Sequence, residues 1–246
     1  MPRILRVNLE EKVKNNKKLE LAKELGYQKI IINHTSPNSL KKHRDFSNQY
    51  NKLNLVKAIE IKETKVRKLK QKIKKFRPKV NFLIVDGGLE EINTVSLEDK
   101  RVDLLYNHVE PNKRGINHVL AKKARENEVG IGFNLKKLLK NNGYLRSRII
   151  QHQIENNQIT RKFNSPRVIS LFSDNKYQIK KLRDIENLMR VIELKKEDLR
   201  KSKKFLDNRI KLNEKYKKER FIEHKKERFI EPGVEKIEES SSINEE

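Results

Sequence analysis

Short apolar runs rich in β-branched residues alternate with segments of helical period along most of this chain, and that alternation limits its fold more than any other feature. Ile30 to Ile32, Leu55 to Ile61, Asn81 to Val85, Val102 to Leu105, Val129 to Phe133 and Arg167 to Leu171 read as strands. Between them lie helical stretches such as Asn15 to Leu25, ended by Gly26, and Thr64 to Phe76, ended before Pro78. Repeated β-α units need crossover connections, so the sheet should be mostly parallel, as a barrel or an open doubly wound sheet. Phe82-Leu83-Ile84-Val85 is apolar at every position, which suits a strand covered on both faces. The expectation is an α/β chain built as a TIM-barrel-like (β/α) barrel. At 246 residues and 35% hydrophobic, it can bury one core of that size.

Charge divides the chain. Lys and Arg number 59 against 34 Asp and Glu, a net +25. Residues 204–246 hold 11 basic and 11 acidic residues, which leaves the whole excess in residues 1–203. The expected organisation is a barrel domain at 1–203 that meets a polyanion, and a charged tail at 204–246. The tail carries a near repeat, from Lys217 to Glu223 and again from Lys225 to Glu231, and reads as a mobile helix before a disordered acidic end. No apolar run approaches the roughly 20 residues of a membrane span, so nucleic acid is the expected partner and the cytoplasm the expected compartment. Cysteine is absent, which excludes thiolate chemistry, zinc ribbons and iron-sulfur clusters.

Residues Lys62 to Lys79 hold ten Lys or Arg and one acidic residue, with Val66, Leu69, Ile73 and Phe76 on one helical side. The outward cations Lys65, Arg67, Lys68, Lys72, Lys75 and Arg77 are expected to meet phosphates, with the salt sensitivity that counterion release brings. Further basic groups follow Gly143 (Arg146, Arg148), lie at Arg161, Lys162 and Arg167, and lie at Lys180, Lys181 and Arg183. A metal-dependent phosphoesterase would need His and carboxylate ligands clustered at strand ends. His34 and His108 follow strand candidates but form no His-x-His pair, and His43, His118, His152 and His224 have no ligand partner at useful spacing. Asp86 before Gly87-Gly88 reads as an ordinary strand-ending turn. No phosphate-binding glycine loop or serine nucleophile elbow is present. No catalytic residue and no metal ligand is therefore assigned. With aromatics at 6%, binding should follow shape and backbone charge rather than base stacking.

Several stretches, in order, resemble a known family: Leu21-Ala22-Lys23-Glu24-Leu25-Gly26-Tyr27, Lys100 to Leu105, Gly115 to Asn127, Val129 to Leu135, Gly143-Tyr144-Leu145-Arg146-Ser147-Arg148, Asn156-Asn157, Arg167 to Ser170, and Leu182-Arg183-Asp184. The chain is similar over about residues 15–203 to the RNase P p30 subunit family, which supplies protein component 3 of archaeal RNase P. The resemblance implies a barrel related to the PHP phosphoesterases, in a ribonucleoprotein that removes the 5′ leader from precursor tRNA. It implies that RNA is the catalyst, with Mg2+ held at the RNA and no cofactor on this chain. The implied partners are the RNase P RNA, a small ferredoxin-like protein subunit, other RNase P proteins including a kink-turn-binding ribosomal protein, and precursor tRNA through the complex. Carried onto this sequence, Arg114, Lys122, Arg146, Arg148, Arg167 and Arg183 are the expected RNA or partner contacts, Asn117 and His118 fix a local turn, and Asp184 orients a neighbouring Arg. Two departures stand out. The opening Pro2-Arg3-Ile4-Leu5-Arg6-Val7 implies a divergent or missing first strand, and Leu171-Phe172 replace small residues, implying a remodelled rim. A free-standing PHP-type phosphoesterase and a generic RNA-binding protein are the alternatives.

Overall fold

The structure, a computed structural model, describes residues 2–7, 12–34, 36–48, 50 and 53–228, with side chains over 17–34, 36–44, 47–48, 50 and 53–219. The chain order is β1 (Pro2–Val7), α1 (Lys12–Glu24), β2 (Lys29–His34), α2 (Pro37–Lys41), α3 (His43–Asn48), β3 (Asn54–Lys62), α4 (Val66–Phe76), β4 (Phe82–Asp86) and α5 (Glu90–Glu98). It continues with β5 (Leu104–Tyr106), α6 (His118–Glu126), β6 (Gly130–Asn134), α7 (Lys136–Lys140), α8 (Gly143–Lys162), β7 (Arg167–Ser170), α9 (Leu182–Arg190) and α10 (Lys196–Arg228). The seven strands form one sheet in sequence order, and every neighbouring pair is parallel. This is the TIM-barrel-like α/β fold that the alternation predicts.

Pro2–Val7, expected to be divergent or missing, pairs in register with β2 along its length. Its Ile4-Leu5 centre supplies β propensity, and a leading Pro costs no ladder bond at a strand's first position. Gly26 ends α1 in the left-handed region (φ 76°), where it satisfies the helix's last carbonyls at little cost.

Alternation along the strands separates two apolar layers. Inward positions such as Ile31, Val56, Ala58, Phe82, Ile84, Leu104, Tyr106 and Val168 fill the barrel. Outward positions such as Ile59, Leu83, Val85, Leu105, Ile131 and Ile169 pack under Leu69 and Ile73 of α4, Ile92 of α5, Leu120 and Ala124 of α6, Ile149 of α8 and Met189 of α9. Two inward glycines on β6 make room for the largest side chains. A Cβ on Gly132 would stand 2.8 Å from Tyr106 Cβ, and one on Gly130 would stand 2.8 Å from the Phe205 ring. Phe172, at that rim, turns its ring into the barrel and stacks on Tyr106 at 4.5 Å between centroids.

The expected boundary between residues 203 and 204 falls inside α10. Leu206 and Ile210 of that helix enter the barrel's inner core, and Arg209 and Asn213 are buried beside them. α10 touches both β7 and β1, the two ends of the sheet, and Ser202 Oγ accepts from the Ile169 N–H on β7. It then crosses beneath the strands, where Lys29 pairs with Asp207 at 2.7 Å and Asn213 donates to the Asn81 carbonyl at 2.9 Å. The repeat's second half and the acidic end, from residue 229 onward, lie outside the described residues.

A buried charge cluster anchors that crossing. Asp103, fully buried, takes Arg77 (2.6 Å) and the Leu83 N–H (2.7 Å) on one oxygen, and Arg209 Nε (2.7 Å) and Asn213 (3.0 Å) on the other. All its acceptor sites are filled, which is the condition under which a buried carboxylate is tolerated.

Candidate nucleic-acid interface

Loops that follow the strands of a β/α barrel gather at one rim, where such barrels usually place their chemistry. Here the inward strand ends carry Asn33, Glu60, Asp86 and Asn134, and they are tied together. Asn33 donates to Glu60 at 2.5 Å, Asn107 to Asp86 at 2.8 Å, and Asn134 to Asn107 at 2.7 Å. Lys136, also buried, pairs with Asp174 at 2.8 Å and donates to the Phe172 carbonyl at 3.1 Å. Of these polar residues, only Asp86 stood out in the sequence, as the residue of a strand-ending turn; it ends β4 as expected and also accepts from Asn107. The signal for them is an amide or carboxylate at the inward position that follows an apolar strand.

The histidines do not join that ring. His34 lies on the outward side of β2, where Nδ1 meets Ser39 Oγ at 2.6 Å and Nε2 meets His43 Nδ1 at 2.9 Å. This pairing corrects the expectation that His43 has no useful neighbour: the turn into α2 and α3 brings together rings nine residues apart. Burial, with each other or Lys57 nearby, pulls the pKa of His34 down to about 3 and that of His43 to about 4. His108 is buried with neither ring nitrogen hydrogen-bonded, and burial, helped by Lys137, pulls its pKa to about 3. Among the described residues, no three of His, Asp and Glu are grouped to hold a metal ion. His118 is exposed at the start of α6 and His152 is buried on α8, where Nε2 meets the Pro111 carbonyl at 3.2 Å; the His224 side chain lies outside the described ones.

The cations are at the surface, in two groups. Lys65, Arg67, Lys68, Lys72 and Lys75 are exposed along α4, whose apolar side (Leu69, Ile73, Phe76) is buried. Among them, Lys72 pairs with Glu63. Arg146 and Arg148 lie in the first turns of α8, at the strand-end rim. Arg146 grips the Asn141 carbonyl (2.5 Å) and Asn142 Oδ1 (2.8 Å), and Arg148 bonds Gln151 (3.0 Å), so both side chains are held while half-exposed. Arg114, in the loop after β5, faces Glu155 of α8 at 3.5 Å, and Arg183 is exposed at the start of α9 on the same rim. Lys122 is exposed on the outer side of α6, above the Phe163 ring. Asn117 does fix its turn: its side chain caps α6 by accepting from the Leu120 N–H at 2.9 Å. Asp184 is exposed and makes no ion pair among the described residues.

Two of the expected contacts are instead internal. Arg167, its side chain only 10% exposed, bonds Asn157 (2.9 Å) and pairs with Asp198 (2.7 Å) at the start of α10. Arg77 is held by Asp103 and the Arg101 carbonyl. A guanidinium already paired with a buried carboxylate and bonded to a second internal acceptor has little left for a phosphate.

Residues 4–219 match the family described as RNase P subunit p30. The ribonuclease P protein component 3 of Methanocaldococcus jannaschii is 36% identical over 142 residues, which cover 57% of this chain and 61% of that protein. That of Methanosarcina barkeri is 36% identical over 150 residues, covering 61% and 62%. The matched stretch thus spans less than two thirds of these relatives' lengths. A chain in a cryo-EM structure of archaeal ribonuclease P with mature tRNA superposes with a TM-score of 0.75 at 26% identity, covering 98% of this chain and all of that one.

Proposed function

The chain belongs to the RNase P subunit p30 family, and from that premise we propose that it is a protein subunit of ribonuclease P, acting in the endonucleolytic removal of the 5′ leader from precursor tRNA. The observation that carries this reading is the family match over residues 4–219, joined to a whole-length structural likeness to a chain of archaeal RNase P. RNA is the catalyst in this reading, and Mg2+ belongs to the RNA. The chain's own contribution is to bring positive charge to crowded phosphates and so favour the folded RNA. Amides and carboxylates at the mouth that bond one another, with His34 engaged by Ser39 and His43 on the outward side of β2, support a binding role over a separate phosphoesterase activity.

The contacts proposed are Arg114, Arg146, Arg148 and Arg183 on the rim, Lys122 on α6, and the exposed α4 cations Lys65, Arg67, Lys68, Lys72 and Lys75. The partners proposed are the RNase P RNA, a small ferredoxin-like protein subunit, other RNase P proteins, and precursor tRNA through the complex. The compartment that goes with this role is the cytoplasm; among the described residues no helix is long and apolar enough to cross a membrane. Reconstitution with the RNA and partner subunits tests the proposal. Adding this chain should raise precursor-tRNA cleavage at low magnesium, and cleavage indifferent to its omission would refute it.

A further inference from the structure

The end of the barrel opposite the rim holds a cavity of about 760 Å3, between α10 and the loops that lead into β4, β5 and β6. That volume falls in the range of small-molecule clefts, roughly 300–1,000 Å3. Six cations line it: Arg77, Lys100, Arg101, Arg125, Arg209 and Lys217. Three have their charge answered. Arg77 and Arg209 are spent on Asp103, and Arg101 is held by Asp99 at 2.7 Å. Lys100, Arg125 and Lys217 have no carboxylate within 4.0 Å among the described residues. Glu126 and Glu128 are the only acids in the lining, and Glu128 stands 3.8 Å from Arg209.

The site is therefore built and under-neutralised. Asp103 has no acceptor capacity left, and it holds Arg77 and Arg209 in place along one side of the cavity. Burial, with Lys57 and Arg77 close by and Glu214 acting the other way, pulls the Lys217 pKa below the ordinary lysine range. Val80 and Leu212 give the cavity an apolar side, and Tyr216 stands 54% exposed at its edge, where a flat ring could be stacked.

We propose that this cavity is a nucleotide-binding site, in which Lys100, Arg125 and Lys217 hold a phosphate and the side made by Val80, Leu212 and Tyr216 receives the sugar and base. The phosphate could be carried by a single-stranded RNA segment or by a free nucleotide, since both present the same group. The site lies at the opposite end of the barrel from the rim cations and does not depend on assembly into a ribonucleoprotein.

The test uses the isolated full-length chain, with AMP and a short single-stranded oligoribonucleotide as probes. Calorimetric titration is run on the parent chain and on an Arg125→Gln/Lys217→Gln double variant, and the side-chain Nε–H signal of Arg125 is followed by NMR in the parent. Loss of two charge-assisted contacts should weaken binding by roughly tenfold or more, and the Arg125 signal should move on saturation. AMP displaced by the oligoribonucleotide would identify RNA as the source, whereas AMP that binds and resists displacement would identify a free nucleotide; both support the site. Failure of both probes to bind, equal affinity in the double variant, or saturation that leaves the Arg125 signal unmoved would overturn it. The NMR arm decides the matter even if the variant folds poorly, and no arm depends on precursor-tRNA cleavage.

Discussion

Replacing His108 by Leu should flatten the acid sensitivity of this protein by a calculable amount. The ring is 1% exposed, its two nitrogens have no hydrogen-bond partner, and its pKa lies at about 3 against 6.5 in the unfolded chain. Because the folded value is the lower one, the unfolded state binds the extra proton between those limits. The stability is whole above pH 6.5 and is lost as the pH falls toward 3. Each unit in that window costs about 1.4 kcal/mol, so going from pH 7.5 to pH 5 removes about 2 kcal/mol through His108 alone. The His34–His43 pair adds to the loss in the same direction, against a total stability of roughly 5–15 kcal/mol for a domain. Urea unfolding followed by circular dichroism, at several pH values and constant ionic strength, measures the slope. The parent and His108→Leu chains share the repulsion of a net +25, so their difference isolates one proton. Between pH 6 and pH 5 the variant should lose about 1.2 kcal/mol less than the parent. Parallel stability curves for the two chains would refute the reasoning.

Asp103→Ala should cost about 3–5 kcal/mol, since it leaves Arg77 and Arg209 buried without their carboxylate; a change under 1 kcal/mol in urea unfolding would contradict that. Gly115→Ala should lower the melting temperature, because φ is 83° there and the new Cβ would stand 1.9 Å from the His108 carbonyl oxygen. The expected loss is about 2 kcal/mol or more, and an unchanged melt would dispose of it. Combined Arg146→Gln and Arg148→Gln should reduce the slope of log affinity against log salt for the RNase P RNA by about 0.7 to 0.9 for each phosphate contact removed. Unchanged slopes would remove these residues from the interface.

The strands were legible because burial on both faces demands near-continuous apolar runs, and Phe82 to Val85 meets that demand without help from distant residues. The packing of α10 was not. Its segment after residue 203 alternates Lys, Asp, Arg and Glu around Phe205, Leu206 and Ile210, and its charge hides a narrow apolar stripe. Arg209 and Asn213 count as polar in any pattern, yet they are buried because Asp103 waits more than 100 residues upstream. The same distance problem governs the cations. Arg146 and Arg167 look alike in sequence, and only the fold brings Asp198 to the second. The basic face of α4 could be read because helical periodicity is local, whereas the cavity beneath the barrel unites residues from three loops, α6 and α10.

Helix α10 also sets an order of events during synthesis. Helix α10 meets β1 as well as β7 across the open side of the sheet, so it must be made before the two sheet ends are bridged, and the Lys29–Asp207 pair joins positions 178 residues apart. Until residues near 210 have emerged, Asp103 lacks Arg209 and Asn213, and the inner core lacks Leu206 and Ile210. A nascent chain stopped short of that point would display an unfilled apolar interior and a free strand edge on β7. Closure of this barrel thus waits on translation of α10, and until then the exposed interior and strand edge are the kind of surface that invites aggregation.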